Sequence, residues 1–172
     1  MAIGADEAIR VDTPATDGYS VALQLAHYAK EGAYDLIIGG RESIDYNGGM
    51  VPGMVAKIIG ANFINTCISL EVEDTKVTAI REIDGGKETL ETILPLVIGG
   101  QKGLVEESDL RIPNMRGIMQ ARSKPLHVKP AMEQNPRSEA TTYQKPAPRG
   151  AVKLVDTVDQ LIDLLHNQAK VI

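Results

Sequence analysis

Between Lys76 and Pro95 the chain carries a segment that leaves little freedom in how it can fold. Lys76-Val77-Thr78-Ala79-Ile80-Arg81-Glu82-Ile83 is rich in β-branched residues, Asp84-Gly85-Gly86 supplies turn residues, and Lys87 to Ile93 returns as a second strand. The segment predicts an antiparallel hairpin. A strand of another kind lies upstream: Tyr34-Asp35-Leu36-Ile37-Ile38-Gly39 is a nearly continuous apolar run, the pattern of a parallel strand covered on both faces. A chain holding both kinds must build a mixed α/β sheet.

The elements around these strands fit that class. Ala8 to Val11 reads as a short strand, and Thr16 or Asp17 can cap a helix in which Val21, Leu25, Tyr28 and Ala29 share one face before Gly32. Strand, helix and strand in succession imply a right-handed crossover. Met50 to Ile59 predicts a second helix with Pro52 in its first turn. Cys67 to Glu73 and Leu96 to Gly99 read as further strands, and Gln101 to Asn114 as an extended loop. Pro130 to Arg149 holds four prolines, Pro130, Pro136, Pro146 and Pro148, among polar residues, too few apolar side chains to fold alone. Beyond it Ala151 to Leu154 is strand-like, and Val155-Asp156-Thr157 opens a helix with Val158, Leu161, Ile162 and Leu165 along one stripe. The expected division is therefore a partial α/β nucleotide-binding domain over 1–129 and an extended arm with a docking helix over 130–172.

Composition narrows the function. At 172 residues and 43% hydrophobic, the chain can bury about 70% of its unfolded surface in one domain. A net charge of −5, no Trp and a single Phe argue against nucleic acid, which rewards basic surfaces and stacking platforms. Cys67 is alone, so no disulfide can form within the chain, which suits a reducing compartment. There is no apolar run of about 18 residues to span a membrane. Met1 to Arg10 has neither an apolar signal core nor the look of a transit peptide, and the expected location is the cytoplasm.

The spacing Ala79-x-Arg81-x-x-Asp84-Gly85-Gly86-x-Glu88-x-Leu90, followed by Pro95-x-Val97-Ile98, resembles the signature of the electron transfer flavoprotein beta subunit, the smaller half of a flavin-containing heterodimer. Gly99 stands where that family usually has Thr, Ala or Cys. Further similar segments follow in the same order: Met1 to Asp6, Tyr34 to Gly40, Arg116 to Arg122 and Val155 to Thr157. The resemblance implies a three-layer, mostly parallel α/β sheet of the adenine-nucleotide-binding (alpha-hydrolase-like) type, with a hairpin and an extended C-terminal arm. It also makes the chain N-terminally truncated relative to the family, with Tyr34 to Gly39 expected as an unpaired edge.

The same resemblance assigns roles. The loop after the Tyr34 strand would bind the phosphate of AMP, or of a second FAD in electron-bifurcating members, through Gly40, Asp45, Gly48, Gly49, Met50 and Val51. Spacing alone reads this loop as an ordinary strand-to-helix connection. Many relatives have Thr and Gln where Gly48 and Met50 stand, which removes two side-chain donors. Met115, flanked by Pro113 and Asn114, lies where the family carries an apolar anchor for partner dehydrogenases, while Ile118 and Met119 are expected to form the buried face of a short helix. FAD would be shared with the alpha subunit, on which the arm docks, and electrons would pass from acyl-CoA-type dehydrogenases toward a quinone oxidoreductase. The chemistry would belong to the flavin, so no catalytic residue is expected. Cys67 reads as buried and inert; His27, His127 and His166 show no ligand spacing. The rival reading is a nucleotide-binding regulatory module of the universal stress protein type, which shares the architecture but forms homodimers and lacks a docking arm.

Overall fold

Leu96, Val97 and Ile98 are almost fully removed from solvent, and the strand they form organises the protein. A computed structural model describes residues 1–172, which divide into two units, Met1–Glu139 and Ala140–Ile172. In chain order the elements of the first are β1 (Ala8–Val11), α1 (Gly18–Gly32), β2 (Leu36–Gly40), α2 (Val51–Ile59), β3 (Asn62–Glu73), β4 (Lys76–Ile83), β5 (Gly86–Ile93), β6 (Leu96–Gly100), α3 (Met115–Ala121) and β7 (Leu126–Lys129). The main sheet runs β2-β6-β3-β4-β5. Strand β6 pairs in parallel with β2 and β3, while β3–β4 and β4–β5 are antiparallel, so an apolar parallel core carries the predicted hairpin at its side. Burying each of the three β6 side chains contributes about 1.5–3 kcal/mol.

The hairpin forms with the expected ends. Gly85 takes the turn with φ +85°, a conformation open to glycine at no steric cost. Strand β3 is longer than its sequence pattern suggests and bends midway: its register shifts between Ile64 and Cys67 against β6, with Thr66 in the left-handed region at φ 51°. The bend brings Val77 and Ala79 of β4 against Leu96 and Ile98, with Cys67 and Ile64 in the same cluster. Helices α1 and α2 cover the other face, where Ala22 and Ala26 meet Val55, Ala56 and Val97. Helices thus pack on one side of β6 and the bent strands β3 and β4 on the other.

Helix α1 starts at a capping box: Asp17 Oδ1 accepts from the Ser20 N–H at 2.7 Å, and Ser20 Oγ accepts from the Asp17 N–H at 3.1 Å. Ala33 ends it in the left-handed region. Two expectations about this part are corrected. First, β1 and β2 do not share a sheet; β1 pairs in parallel with β7, from Ala8 opposite Leu126 to Val11 opposite Lys129. Second, the core-facing side of α1 is Ala22 and Ala26, whereas Leu25 of the predicted apolar face is 50% exposed and Val21 and Ala29 line an open groove. Small side chains allow α1 to lie close to α2, which turns the larger ones aside.

The arm does not leave the domain at Pro130. Residues 130–138 run along α1, held by Tyr28, whose hydroxyl donates to the Pro130 carbonyl, by Gln24 on Met132, by Gln134 on the Ser20 carbonyl, and by Asp17 on the Arg137 and Ser138 N–H groups. Side-chain hydrogen bonds here stand in for the apolar contacts whose scarcity keeps this extended stretch from folding alone.

In the second unit, Thr157 caps α4 (Val158–Asp163), accepting from the Gln160 N–H at 3.3 Å, and a wider turn continues over Leu164–Ala169. The stripe of Val158, Leu161 and Ile162 is exposed. Ala151 to Leu154 is not a strand, and Val152 and Leu154 are exposed. Without a neighbouring edge its alternation has nothing to pair with.

Candidate functional site

Two glycine pairs meet at the carboxyl ends of the parallel strands: Gly39 stands opposite Gly99 and Gly40 opposite Gly100. The four glycines carry no side chains of their own, which lets other groups approach the backbone closely: Pro52 lies against Gly39, Asn65 against Gly99 and Leu104 against Gly100, while Gly40 meets no side chain. Such carboxyl-end crevices are where open α/β sheets bind ligands. The chain uses the space at once. Arg41 N–H donates to the Gly100 carbonyl at 3.1 Å, Ser43 N–H donates to the Gly48 carbonyl at 3.0 Å, and Gly49 lies so close that a Cβ there would meet the Arg41 carbonyl oxygen at 3.3 Å.

Within this loop Asp45 holds the turn. Its carboxylate accepts from the Ser43 hydroxyl and from the Tyr46 N–H at 3.0 Å, and these bonds, Ser43 first, keep it below the usual carboxylate range. Asn47 takes the left-handed region at φ 54°. Met50 ends the loop as the N-cap of α2 but offers no side-chain acceptor, so the first-turn N–H groups of that helix are open to an acceptor from outside. Val51 and Pro52 form the first turn, and Pro52 contributes no N–H of its own. Met50 Sδ packs over Gly18 at the start of α1, where a Cβ would lie 3.0 Å from it. The six residues Gly40, Asp45, Gly48, Gly49, Met50 and Val51 therefore belong to one continuous loop and helix start, in which no side chain caps α2.

Asn65 lies against Gly99, and sequence reasoning missed it. Its Oδ1 is buried with no hydrogen-bond partner, and a Cβ on Gly99 would collide with it. A buried acceptor without a partner fits a site that receives a donor-bearing group such as a nucleotide. The sequence carries a signal for the glycines, since Ile37-Ile38-Gly39-Gly40 and Val97-Ile98-Gly99-Gly100 are near copies on neighbouring parallel strands, but none for Asn65, which the bend in β3 brings over Gly99.

The second candidate region is α3. Asn114 is its N-cap and accepts from the Gly117 N–H at 2.8 Å, which leaves Pro113 just before the cap and Met115 at the first helical position. Met115 is 74% exposed. Ile118 and Met119 are also exposed, at 40% and 59%, which corrects the expectation that they form a buried face. The inward contact of this helix is made by Gly117 instead, against the Ala2 carbonyl. Met115, Ile118 and Met119 thus form an apolar patch beside Arg116, of the adaptable kind that methionines give.

No helix is long and apolar enough to cross a membrane. Arg81 and Glu88, part of the hairpin signature, pair across β4 and β5 at 2.6 Å.

Comparison with known proteins agrees with this architecture. The electron transfer flavoprotein domain matches residues 1–133. The electron transfer flavoprotein subunit beta of Bacillus subtilis is 32% identical over 188 residues, an alignment that takes in 100% of this chain and 72% of that protein. Its counterpart in Syntrophomonas wolfei is 32% identical, covering 99% of this chain and 69% of the relative, and that of Sus scrofa is 29% identical over 99% and 69%. The hairpin signature, the glycine loop after β2 and the α3 segment all fall within the matched domain, and the chain belongs to the electron transfer flavoprotein family, among its beta subunits.

Proposed function

We propose that this chain is the small subunit of a heterodimeric electron carrier, which holds FAD together with an alpha subunit and passes electrons from acyl-CoA-type dehydrogenases toward a quinone oxidoreductase in the cytoplasm. The observation that carries the reading is the pairing of Gly39 and Gly40 with Gly99 and Gly100 at the carboxyl ends of the parallel strands, next to the uncapped start of α2. That arrangement suits a phosphate of AMP, or of a second FAD, held by backbone N–H groups of the Gly48 to Val51 segment, with Asp45 keeping the turn closed and Asn65 accepting from the nucleotide. FAD supplies the redox chemistry when bound. This chain's part is to position, to bind the nucleotide and to dock.

Docking falls to Met115, with Pro113 and Asn114 fixing the helix start that presents it. A small exposed apolar patch, with Met115 the most exposed of its three side chains, suits brief encounters with several dehydrogenases. The exposed stripe of Val158, Leu161 and Ile162 suits the alpha subunit. Family membership displaces the universal stress protein reading.

Co-expression with an alpha subunit tests the proposal. The expected result is a yellow heterodimer that releases AMP or a second FAD on denaturation, with less nucleotide in Gly49→Val. Met115→Ala should slow electron transfer from the dehydrogenase at unchanged flavin content. A colourless homodimer, or a heterodimer whose nucleotide content ignores Gly49→Val, would overturn it.

A further inference from the structure

Helix α3 turns two thioethers to the outside. Met115 and Met119 stand four residues apart, with Ile118 between them on the same face, and all three are exposed. Gly117, which makes the inward contact with the Ala2 carbonyl, is two residues from each methionine and so lies about 200° around the helix from both. The methionine face is therefore the one directed away from that contact.

Docking of the kind proposed above needs apolar surface, which leucine or isoleucine supplies as well as methionine does. Two of the chain's six methionines nevertheless fall within these seven residues. What a thioether adds to its bulk is redox chemistry: it is oxidised to a polar, chiral sulfoxide, and reductases reverse the change. Other methionines are placed differently, since Met54 packs against the α1–α2 cluster and Met50 Sδ sits over Gly18. Around α3 the charges are all positive, with Arg111, Arg116, Arg122 and Lys124 and no Asp or Glu between Leu110 and Met132. Arg122, three residues beyond Met119 and on the same side of the helix, places a guanidinium donor near where a sulfoxide oxygen would form.

We propose that Met115 and Met119 form a reversible oxidation site for hydrogen peroxide, and that their conversion to sulfoxides takes the patch out of use for docking. The inference rests on the docking reading of α3. In each step the sulfur lone pair attacks one peroxide oxygen, an S–O bond forms as the O–O bond breaks, and the hydroxide released takes the remaining proton from the transferred oxygen and departs as water. Sulfur gives up two electrons and peroxide gains two. Reversal needs an external dithiol, whose thiols become a disulfide while the oxygen leaves as water; Cys67, alone and buried, cannot supply it. A sulfoxide puts a strong acceptor where a partner offers apolar surface, and burying it without a donor opposes docking.

The test uses the flavin-loaded heterodimer of this chain with an alpha subunit, treated with hydrogen peroxide and divided between peptide mass analysis and an assay of electron transfer from the dehydrogenase. Met115 and Met119 should each gain one oxygen several-fold faster than Met54, and the transfer rate should fall roughly tenfold or more at unchanged flavin content. Methionine sulfoxide reductase with dithiothreitol should restore the rate. A variant carrying both Met115→Leu and Met119→Leu should keep through the treatment whatever rate it showed beforehand. Oxidation of Met54 as fast as the α3 pair, an oxidised protein that transfers electrons as before, or an equal loss in the leucine variant would each overturn the proposal. The two readings fail separately. If Met115→Ala has no effect on transfer, the docking reading falls and takes the oxidation site's role with it, whereas an effect of alanine with none of peroxide refutes the oxidation site alone.

Discussion

Gln24 and Met132 exchange two hydrogen bonds: Gln24 Nε2 donates to the Met132 carbonyl at 2.9 Å, and the Met132 N–H donates to Gln24 Oε1 at 2.9 Å. A side-chain amide here does what a neighbouring strand would do, and it fastens a proline-bounded segment to the flank of α1. Each bond contributes about 0.5–1.5 kcal/mol net. Gln24→Ala should therefore release residues 131–138 locally, at a cost of roughly 1–3 kcal/mol. Hydrogen exchange at Met132 should quicken while that of Val97 and Ile98 stays slow.

Asp17 fastens the same segment and caps the helix. Its carboxyl is held at about 2 against 3.8 for a free group, by the Ser20 N–H first, then by the Ser20 hydroxyl and the Ser138 and Arg137 N–H groups, with desolvation opposing. Because the folded value is the lower one, its contribution is present above pH 3.8 and is lost as pH falls through about 2. An acid titration followed at the Ser138 amide should show release in that window. Asp17→Asn should remove the pH dependence.

Gly117 lies inside α3, where alanine ordinarily stabilises a helix by about 1 kcal/mol. Here a Cβ would run into the backbone carbonyl of Ala2. Gly117→Ala should instead reduce stability by about 1–3 kcal/mol, the usual range for overpacking, and so lower the melting temperature. The loss should be accompanied by weaker protection of residues 1–5, which also receive hydrogen bonds from Lys124 Nζ at the Met1 and Ala5 carbonyls.

The hairpin signature and the core beneath it should respond very differently. Ile98 is fully buried, and Ile98→Ala should cost about 2–5 kcal/mol in chemical denaturation. The Arg81–Glu88 pair is more than a third exposed at each end, and a double-mutant cycle should return no more than about 1 kcal/mol. A larger coupling would mean that the pair is screened from solvent in the protein as it occurs in solution.

What could be read from residue order was whatever local chemistry decides. Asp84-Gly85-Gly86 between two β-branched runs left one outcome for the hairpin, Thr16 and Asp17 marked the start of α1, where Asp17 is the cap, and Val155-Asp156-Thr157 marked the start of the last helix, which Thr157 caps. The loop from Gly40 to Met50 was likewise legible as a break between a strand and a helix. What depended on neighbours far along the chain was not. The period of α1 identified its apolar residues but not which of them would meet α2, because Ala22 and Ala26 win that contact by being small. Strand pairing across more than 100 residues separated β1 from β2, although their order promised a shared sheet. The orphaned oxygen of Asn65 exists only because a bend in β3 places it over Gly99, and the open groove exists only because two parallel edges stop on either side of α1. Caps, turns and periodicity are fixed within a few residues by backbone sterics and hydrogen bonding, whereas the choice of partner surface is a competition among all the apolar faces in the chain, and only the folded molecule resolves it.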